Sequence, residues 1–315
     1  MTRRPFVDDD VPAALALMRS SLGDGRVPRT EAFFRWKHLE SPFGRSIGLV
    51  EVDEADGDNA PLVALRMFQR WGLLLGAQPI EAVRAVDTAT APQAQGKGHF
   101  KRLTLAAVDE ATAAGIDLVF NTPNEKSGAG YLKMGWVEVG KPGVWLRAGW
   151  PGASTLDDIV PDPVLLAARH GQDPIEDERL RTRRSEAFWR WRYVDVPGIA
   201  YRMVLEGTAT AIVRRQTRRG IPEVTIVELL HSFTWRGARD ARRLVVAIAR
   251  SGGGLMVSSM ATLPSTTAGV LASAGFVWTP LGPNLFTRGL CVGRLAQVPS
   301  TLRQWCVSVG DLELF

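Results

Sequence analysis

Two cysteines in 315 residues, Cys291 and Cys306, are too few for a disulfide scaffold and lack the spacing of metal ligands. No apolar run reaches the length of a membrane span, and Met1-Thr2-Arg3-Arg4-Pro5-Phe6 lacks the apolar segment of a secretory leader. Low-complexity tracts are absent too. These absences predict a reduced, cytoplasmic chain that holds no metal and has no membrane partner. What is present is globular: 45% hydrophobic and 23% charged residues, with a length that suits two domains each burying its own core. The net charge of +5 is modest. Its arginines gather at Arg179–Arg184, at Arg214–Arg219 beside a hairpin tip at Arg219-Gly220, and at Arg236–Arg243. Solvated faces and turns account for such runs, so nucleic acid is not expected as a partner. Asp8-Asp9-Asp10 reads as an N-cap cluster for a helix starting near Val11.

The most informative stretch runs from Val86 to Phe100, Val-Asp-Thr-Ala-Thr-Ala-Pro-Gln-Ala-Gln-Gly-Lys-Gly-His-Phe. Upstream, Ile80 to Thr90 carries the apolar content of a strand. Downstream, Phe100, Leu103, Ala107, Ala111 and Ala114 recur at helical spacing until Gly115. Glycines between a strand end and a helix start let the backbone approach a phosphate closely. The helix N-terminus then supplies free N–H donors and the positive end of its dipole. Such a loop holds a diphosphate without a catalytic side chain. A second strand, Leu118-Val119-Phe120, leads through Asn121 to Ser127 toward Tyr131-Leu132-Lys133-Met134-Gly135-Trp136.

Internal repetition is the second signal. Glu31-Ala32-Phe33-Phe34-Arg35-Trp36-Lys37-His38-Leu39-Glu40-Ser41-Pro42 returns as Glu186-Ala187-Phe188-Trp189-Arg190-Trp191-Arg192-Tyr193-Val194-Asp195-Val196-Pro197, six of twelve positions being identical. Tyr131 to Trp136 aligns with Leu271 to Phe276, each followed by a strand-like pair ending near Arg147 and Arg288. The chain therefore divides into residues 1–150 and 160–315, with a Pro/Gly/Asp-rich linker between them. The second copy lacks the chemistry of the first. It reads Thr234-Trp235-Arg236-Gly237-Ala238-Arg239-Asp240-Ala241 where the loop should recur, with Arg239 in the place of Gly98 and Leu271 in that of Tyr131. A phosphate bound through the side chains of Arg236 and Arg239 is the rival reading of that segment.

Over residues 5 to 148 the sequence resembles the GNAT family of N-acetyltransferases, whose loop is written Gln/Arg-x-x-Gly-x-Gly/Ala. Two registers fit, Gln95/Gly98/Phe100 and Gln93/Gly96/Gly98, and the bulky Phe100 departs from the family's small residue in the first. The resemblance implies an α/β (α+β) fold of two tandem GNAT-like lobes, each a mixed, mostly antiparallel twisted sheet flanked by helices. Residues 1–150 would be the catalytic domain, and 160–315 a degenerate lobe shaping the acceptor site. Acetyl-CoA is the implied co-substrate. Its contacts would come from Val86, Asp87, Thr88, Gln93, Gln95, Gly96, Lys97, Gly98, His99, Phe100, Asn121, Asn124 and Ser127, with pantetheine lying along the edges at Ala85–Thr90 and Val119–Thr122.

Tyr131 stands where the family places a tyrosine that protonates the departing thiolate, and Asn124 and Gly135-Trp136 match neighbouring family positions. Direct transfer also needs a proton acceptor for the amine. Glu81 is the preferred candidate, and Asp87, His38 and His99 are others. The apolar terminus around Leu312, Leu314 and Phe315 reads as docked, and the carboxylate of Phe315 is a further candidate for orienting or deprotonating the amine. The expected acceptor is the primary amine of a small molecule, amino sugar or aminoglycoside-like. Two alternatives remain at this stage: an aminoacyl-tRNA-dependent peptidoglycan-bridge aminoacyltransferase, and a non-catalytic acyl-CoA sensor.

Overall fold

A computed structural model describes residues 2–23, 29–53, 61–150, 152–171, 178–291, 295 and 297–312. The first half runs β1 (Thr2–Pro5), α1 (Val11–Leu22), α2 (Glu31–His38), β2 (Ile47–Val52), β3 (Leu62–Leu75), β4 (Gln78–Thr90), α3 (His99–Ala113), β5 (Leu118–Asn121), α4 (Glu125–Lys133), β6 (Val137–Gly140) and β7 (Val144–Ala148). Gly115 and Gly135, both at positive φ, follow α3 and α4 and end them as left-handed caps. The aspartate cluster behaves otherwise than its position suggests. Asp8–Asp10 form a short 3₁₀ turn, and the Asp10 carboxylate accepts from Arg4 and from the Val7 N–H rather than capping α1. A nearby guanidinium outcompeted the helix for that carboxylate.

The second half runs β8 (Asp158–Ile159), α5 (Pro163–His170), β9 (Leu180–Thr182), α6 (Glu186–Tyr193), β10 (Arg202–Glu206), β11 (Ala209–Arg218), β12 (Ile221–Leu230), α7 (Trp235–Ser251), β13 (Met256–Ser259), α8 (Thr266–Ser273), β14 (Val277–Thr279), β15 (Leu285–Gly289), β16 (Trp305–Cys306) and α9 (Val309–Leu312). Arg219 and Gly220, both at positive φ, make the two-residue turn between β11 and β12, as the sequence suggested.

The strands form two mostly antiparallel sheets flanked by helices, which is the fold class expected. One has the order β1-β2-β3-β4-β5-β15-β6, with β9 and β16 added at the end of β3. The other has the order β8-β10-β11-β12-β13-β7-β14. The two orders correspond position by position, and in each the sixth strand comes from the other half of the chain. β15 inserts between β5 and β6, and β7 between β13 and β14. The two arginines at the ends of these strands cross with them: Arg288 Nη1 donates to the Met134 carbonyl behind α4 (2.5 Å), and Arg147 Nη1 to the Ala274 carbonyl behind α8 (2.6 Å).

The repeated helices α2 and α6 join the sheets. Each is capped by a hydroxyl, Thr30 or Ser185, accepting from the third backbone N–H. Trp36 and Trp191 stack at 4.8 Å, and each indole N–H donates to the other's carbonyl, at 2.7 and 2.8 Å. Around this pair one apolar core gathers Phe33, Trp71, Phe120, Phe188, Trp189 and Tyr193 with residues of β10, β11 and β12. Burying so much aromatic area in one cluster, each ring worth several kcal/mol, ties the halves into one body.

Candidate functional site

β4 and β5 are parallel neighbours over only three residues, Ala82–Arg84 against Leu118–Phe120. Beyond Arg84 the strands part, because β4 carries a bulge: Arg66 faces Thr88 and Met67 faces Val86, leaving Asp87 as the extra residue at φ 41. The gap opens between Ala85–Thr90 and Asn121-Thr122, with the β4-facing edge of β5 unpaired past Phe120 and its other edge bonded to β15. The Oδ1 of Asn121 and the Oγ1 of Thr122 are buried there with no hydrogen-bond partner.

At the far end of β4 the loop turns through Gly96 (φ 78) and Gly98 (φ 81), where an added Cβ would have open space at Gly96 and only the Arg102 Nη1 (3.5 Å) at Gly98. Both glycines are thus in the left-handed region, so the loop geometry itself accommodates either register. Gly98 is the N-cap of α3 and offers no side chain to it. By contrast α2, α4, α5, α6, α7 and α8 all begin with a side-chain oxygen accepting a backbone N–H. The first turn of α3 therefore keeps its donors and the positive end of its dipole for another anion. Lys97 lies in the loop, and Arg102 Nη1 donates to its carbonyl (2.8 Å). At α7, in the corresponding place of the second half, the Thr234 hydroxyl takes the Gly237 N–H, and Arg239 lies over Trp235 and against Asp240.

The side chains of the sequence-predicted residues divide between the site and its scaffold. Tyr131 on α4 is 3% exposed, and Arg66 Nη2 donates to its hydroxyl at 2.7 Å. Phe100 packs edge-on against the Tyr131 ring (5.4 Å), which explains a bulky residue at that position: its ring leaves the loop and braces the tyrosine. The Thr88 hydroxyl accepts from Arg66 Nη1. Val86 is buried on the opposite face of β4, Gln93 is exposed, and Gln95 folds back to donate to the Thr90 carbonyl (3.3 Å). His99 points inward, its Nδ1 donating to buried Glu51, which also pairs with Arg102 (3.2 Å), so its backbone alone faces the loop. Asn124 caps α4, accepting from the Ser127 N–H and hydroxyl (both 3.0 Å).

Asp87 turns its carboxylate away from the gap to Lys37 Nζ (2.7 Å) and His38 Nε2 (2.8 Å). Burial pushes that carboxyl up, but Lys37 and His38 outweigh it and hold it well below the usual range. Burial lowers the pKa of His38, which Asp87 only partly offsets, so the imidazole is neutral and donates from Nε2. Glu81 lies just before the stretch where β4 and β5 pair, away from the gap, and its carboxylate accepts from Arg183 (3.3 Å); no described contact joins it to Tyr131. Phe315 lies outside the described residues. The segment before it is docked: Gly310 O accepts from buried Arg192, and Asp311 and Leu312 are buried. Glu51 and Arg66 escaped sequence reasoning because each sits in a strand with no motif around it, and Lys37 and Arg102 because neither the repeat nor the glycine loop beside them signals a partner for the side chain.

Between the sheets lies a second polar group. Glu228 accepts from Tyr193, Ser308 and Arg184, and burial pushes its carboxyl up despite Arg184. Arg84, stacked on Trp71 and Phe120, has two buried nitrogens without a partner, and burial together with nearby Arg192 lowers its pKa to about 10. Among the described residues no His/Cys/Asp/Glu cluster is arranged for a metal, and no helix is long and apolar enough to cross a membrane.

Residues 2–139 match the family model described as an acetyltransferase (GNAT) domain. No curated protein matches the sequence. Several solved structures share the fold. A GNAT-type N-acetyltransferase from Anabaena variabilis superposes with a TM-score of 0.70 at 13% identity, covering 93% of this chain and 74% of its own. An Enterococcus faecalis protein described as a probable N-acyltransferase gives 0.68 at 10% identity, covering 92% and 73%. Eis1 from Mycobacterium abscessus gives 0.63 at 12% identity, covering 93% and 74%.

Proposed function

We propose that the chain, whose residues 2–139 match the GNAT acetyltransferase domain model, moves an acetyl group from acetyl-CoA directly to the primary amine of a small molecule. The observation that carries this reading is the uncapped start of α3 at Gly98, beyond a β4 strand that parts from β5 and whose bulge lies beside Arg66, the donor to the Tyr131 hydroxyl. Residues present fit the donor: the N–H groups opening α3 would take the diphosphate with Lys97 nearby, and the unpaired edges of β4 and β5 with Asn121 would take the pantetheine amides.

In this reading Tyr131 is the general acid. The amine attacks the thioester carbonyl, the C–S bond breaks with its electrons on sulfur, and sulfur takes the Tyr131 proton to leave as the thiol. Thr88, Arg66 and Phe100 fix where that proton points. The second half, whose α7 is already capped by Thr234, would shape the acceptor side rather than bind a second CoA. An amino sugar or aminoglycoside-like amine is the acceptor class we propose. The match of residues 2–139 to an acetyltransferase domain favours turnover over a passive acyl-CoA sensor, and the uncapped glycine loop favours CoA over aminoacyl-tRNA as donor.

Thiol release from acetyl-CoA, measured with glucosamine and kanamycin as acceptors, tests the proposal. We expect amine-dependent turnover that falls about 10²-fold in Tyr131→Phe while CoA affinity stays within a factor of two. Equal turnover in the variant would remove Tyr131 from the chemistry.

A further inference from the structure

The Tyr131 hydroxyl has one charged neighbour among its described contacts, and it is a cation. Arg66 enters from β3 opposite Thr88, at the step where Asp87 bulges out of β4. Its guanidinium donates through Nη2 to Tyr131 (2.7 Å) and through Nη1 to the Thr88 hydroxyl. It lies 4.9 Å from the Phe68 ring, 5.8 Å from Phe100 and 5.6 Å from Tyr131 itself. Arg66 is 1% exposed, no described carboxylate pairs with it, and its Nε has no partner. A buried guanidinium without a counter-ion is costly to fold and is kept only where its charge is useful or its replacement is worse.

We infer that Arg66 is the positioning residue of the general acid. It occupies one lone pair of the phenol oxygen, which leaves the hydroxyl proton free to point into the gap. It also stands ready for the negative charge that appears on that oxygen.

The proton balance shows why the charge matters. When the thioester C–S bond breaks, sulfur carries the electron pair and takes the Tyr131 proton. The tyrosine oxygen is then anionic until it regains a proton, which the nitrogen loses as it becomes an amide. During that interval the N–H···O bond from Arg66 becomes charge-assisted, and so is stronger than in the resting enzyme. An interaction that strengthens only as charge develops raises kcat rather than substrate affinity. Phe68 and Phe100 exclude water from the guanidinium, so its charge is poorly screened.

This inference rests on Tyr131 being the general acid, and the test separates the two. Thiol release from acetyl-CoA is followed with hydroxylamine, a nucleophile small enough to bypass acceptor specificity, in the wild type, Tyr131→Phe, Arg66→Met and the double variant. We expect Arg66→Met to lower kcat about tenfold or more with KM for acetyl-CoA changed less than about threefold. Arg66→Lys should recover part of the loss. In the Tyr131→Phe background Arg66→Met should cost no more than a factor of two, since a residue acting through the hydroxyl has nothing left to act on. Multiplicative losses, or an unchanged kcat in both Arg66→Met and Arg66→Lys, would overturn the role of Arg66 while leaving Tyr131 in place. A Tyr131→Phe enzyme with wild-type kcat would overturn the underlying reading instead. Should Arg66→Met fail to fold, Arg66→Lys with and without Tyr131→Phe gives the same cycle.

Discussion

Asp87 illustrates how one residue can serve the site through its backbone and the scaffold through its side chain. Its positive φ makes the bulge that opens the sheet, and its carboxylate is held by Lys37 and His38. A β-bulge residue in the left-handed region carries strain, which Asp tolerates better than most residues. Burial of the two groups in that contact sets a pH dependence for His38, and the neighbouring cations set one for Asp87. His38 is neutral in the folded protein with its pKa lowered from 6.5, so below that value the unfolded state binds the extra proton and stability falls. Asp87 is lowered from 3.8, so its contribution is present above that value and is lost on further acidification. The signs agree: acid destabilises. We expect urea unfolding at pH 5.5 to give a lower stability than at pH 7.5, with a slope up to about 1.4 kcal/mol per pH unit from His38. His38→Gln should flatten that slope, and an unaltered slope would mean that other histidines carry it. His170, lowered to about 4 by burial and the cations around it, is the next in line.

Among the elements, α2 and α6 show what a repeat is for. The sequence displays Phe33-Phe34-Arg35-Trp36 and Phe188-Trp189-Arg190-Trp191 as copies, and their hydroxyl caps follow from Thr30 and Ser185. That the two tryptophans bond each other's carbonyls is not readable there, since contact across so long a stretch of chain leaves no local trace. Trp36→Phe keeps the stacked ring but leaves the Trp191 carbonyl buried without its donor. It should cost about 1–3 kcal/mol by denaturant unfolding, as should the symmetric Trp191→Phe. No loss in either variant would mean that water replaces the bond. The strand–loop–helix unit was readable for the opposite reason, being contiguous: apolar content from Ile80 toward Thr90, glycines at 96 and 98, and helical spacing from Phe100. Arg66 was invisible because a cation in mid-strand announces nothing until Tyr131, far along the chain, is folded against it. Asp10 misled because a cap motif ignores a competing arginine.

On the scale of the whole molecule, the exchanged strands bind the halves topologically as well as by packing. A fragment of residues 1–150 keeps β7, whose partners β13 and β14 are then missing, and loses β15, so β5 and β6 have bare edges. It also exposes Trp36, Trp71 and Phe120. Such edges and faces associate. We expect the fragment to be aggregated or unfolded by size-exclusion chromatography and circular dichroism, whereas a native-like monomer would show that the exchange is dispensable. The sequence repeat predicts two lobes, but not that each would borrow a strand, because β7 and β15 follow their helices at equivalent places and either pairing satisfies the pattern.

In the proposed function the start of α3 holds the diphosphate of CoA. Calorimetric titration of the intact protein with CoA and acetyl-CoA, beside Gly98→Asp, tests it most directly. Aspartate at position 98 has to keep the left-handed backbone, which Asp tolerates better than most residues, and it sets a negative charge against the diphosphate, so the variant should fold while losing its ligand. We expect micromolar binding to the wild type and a loss of at least about tenfold in Gly98→Asp. Equal affinities in the two proteins, or a folded wild type that binds neither ligand, would contradict it.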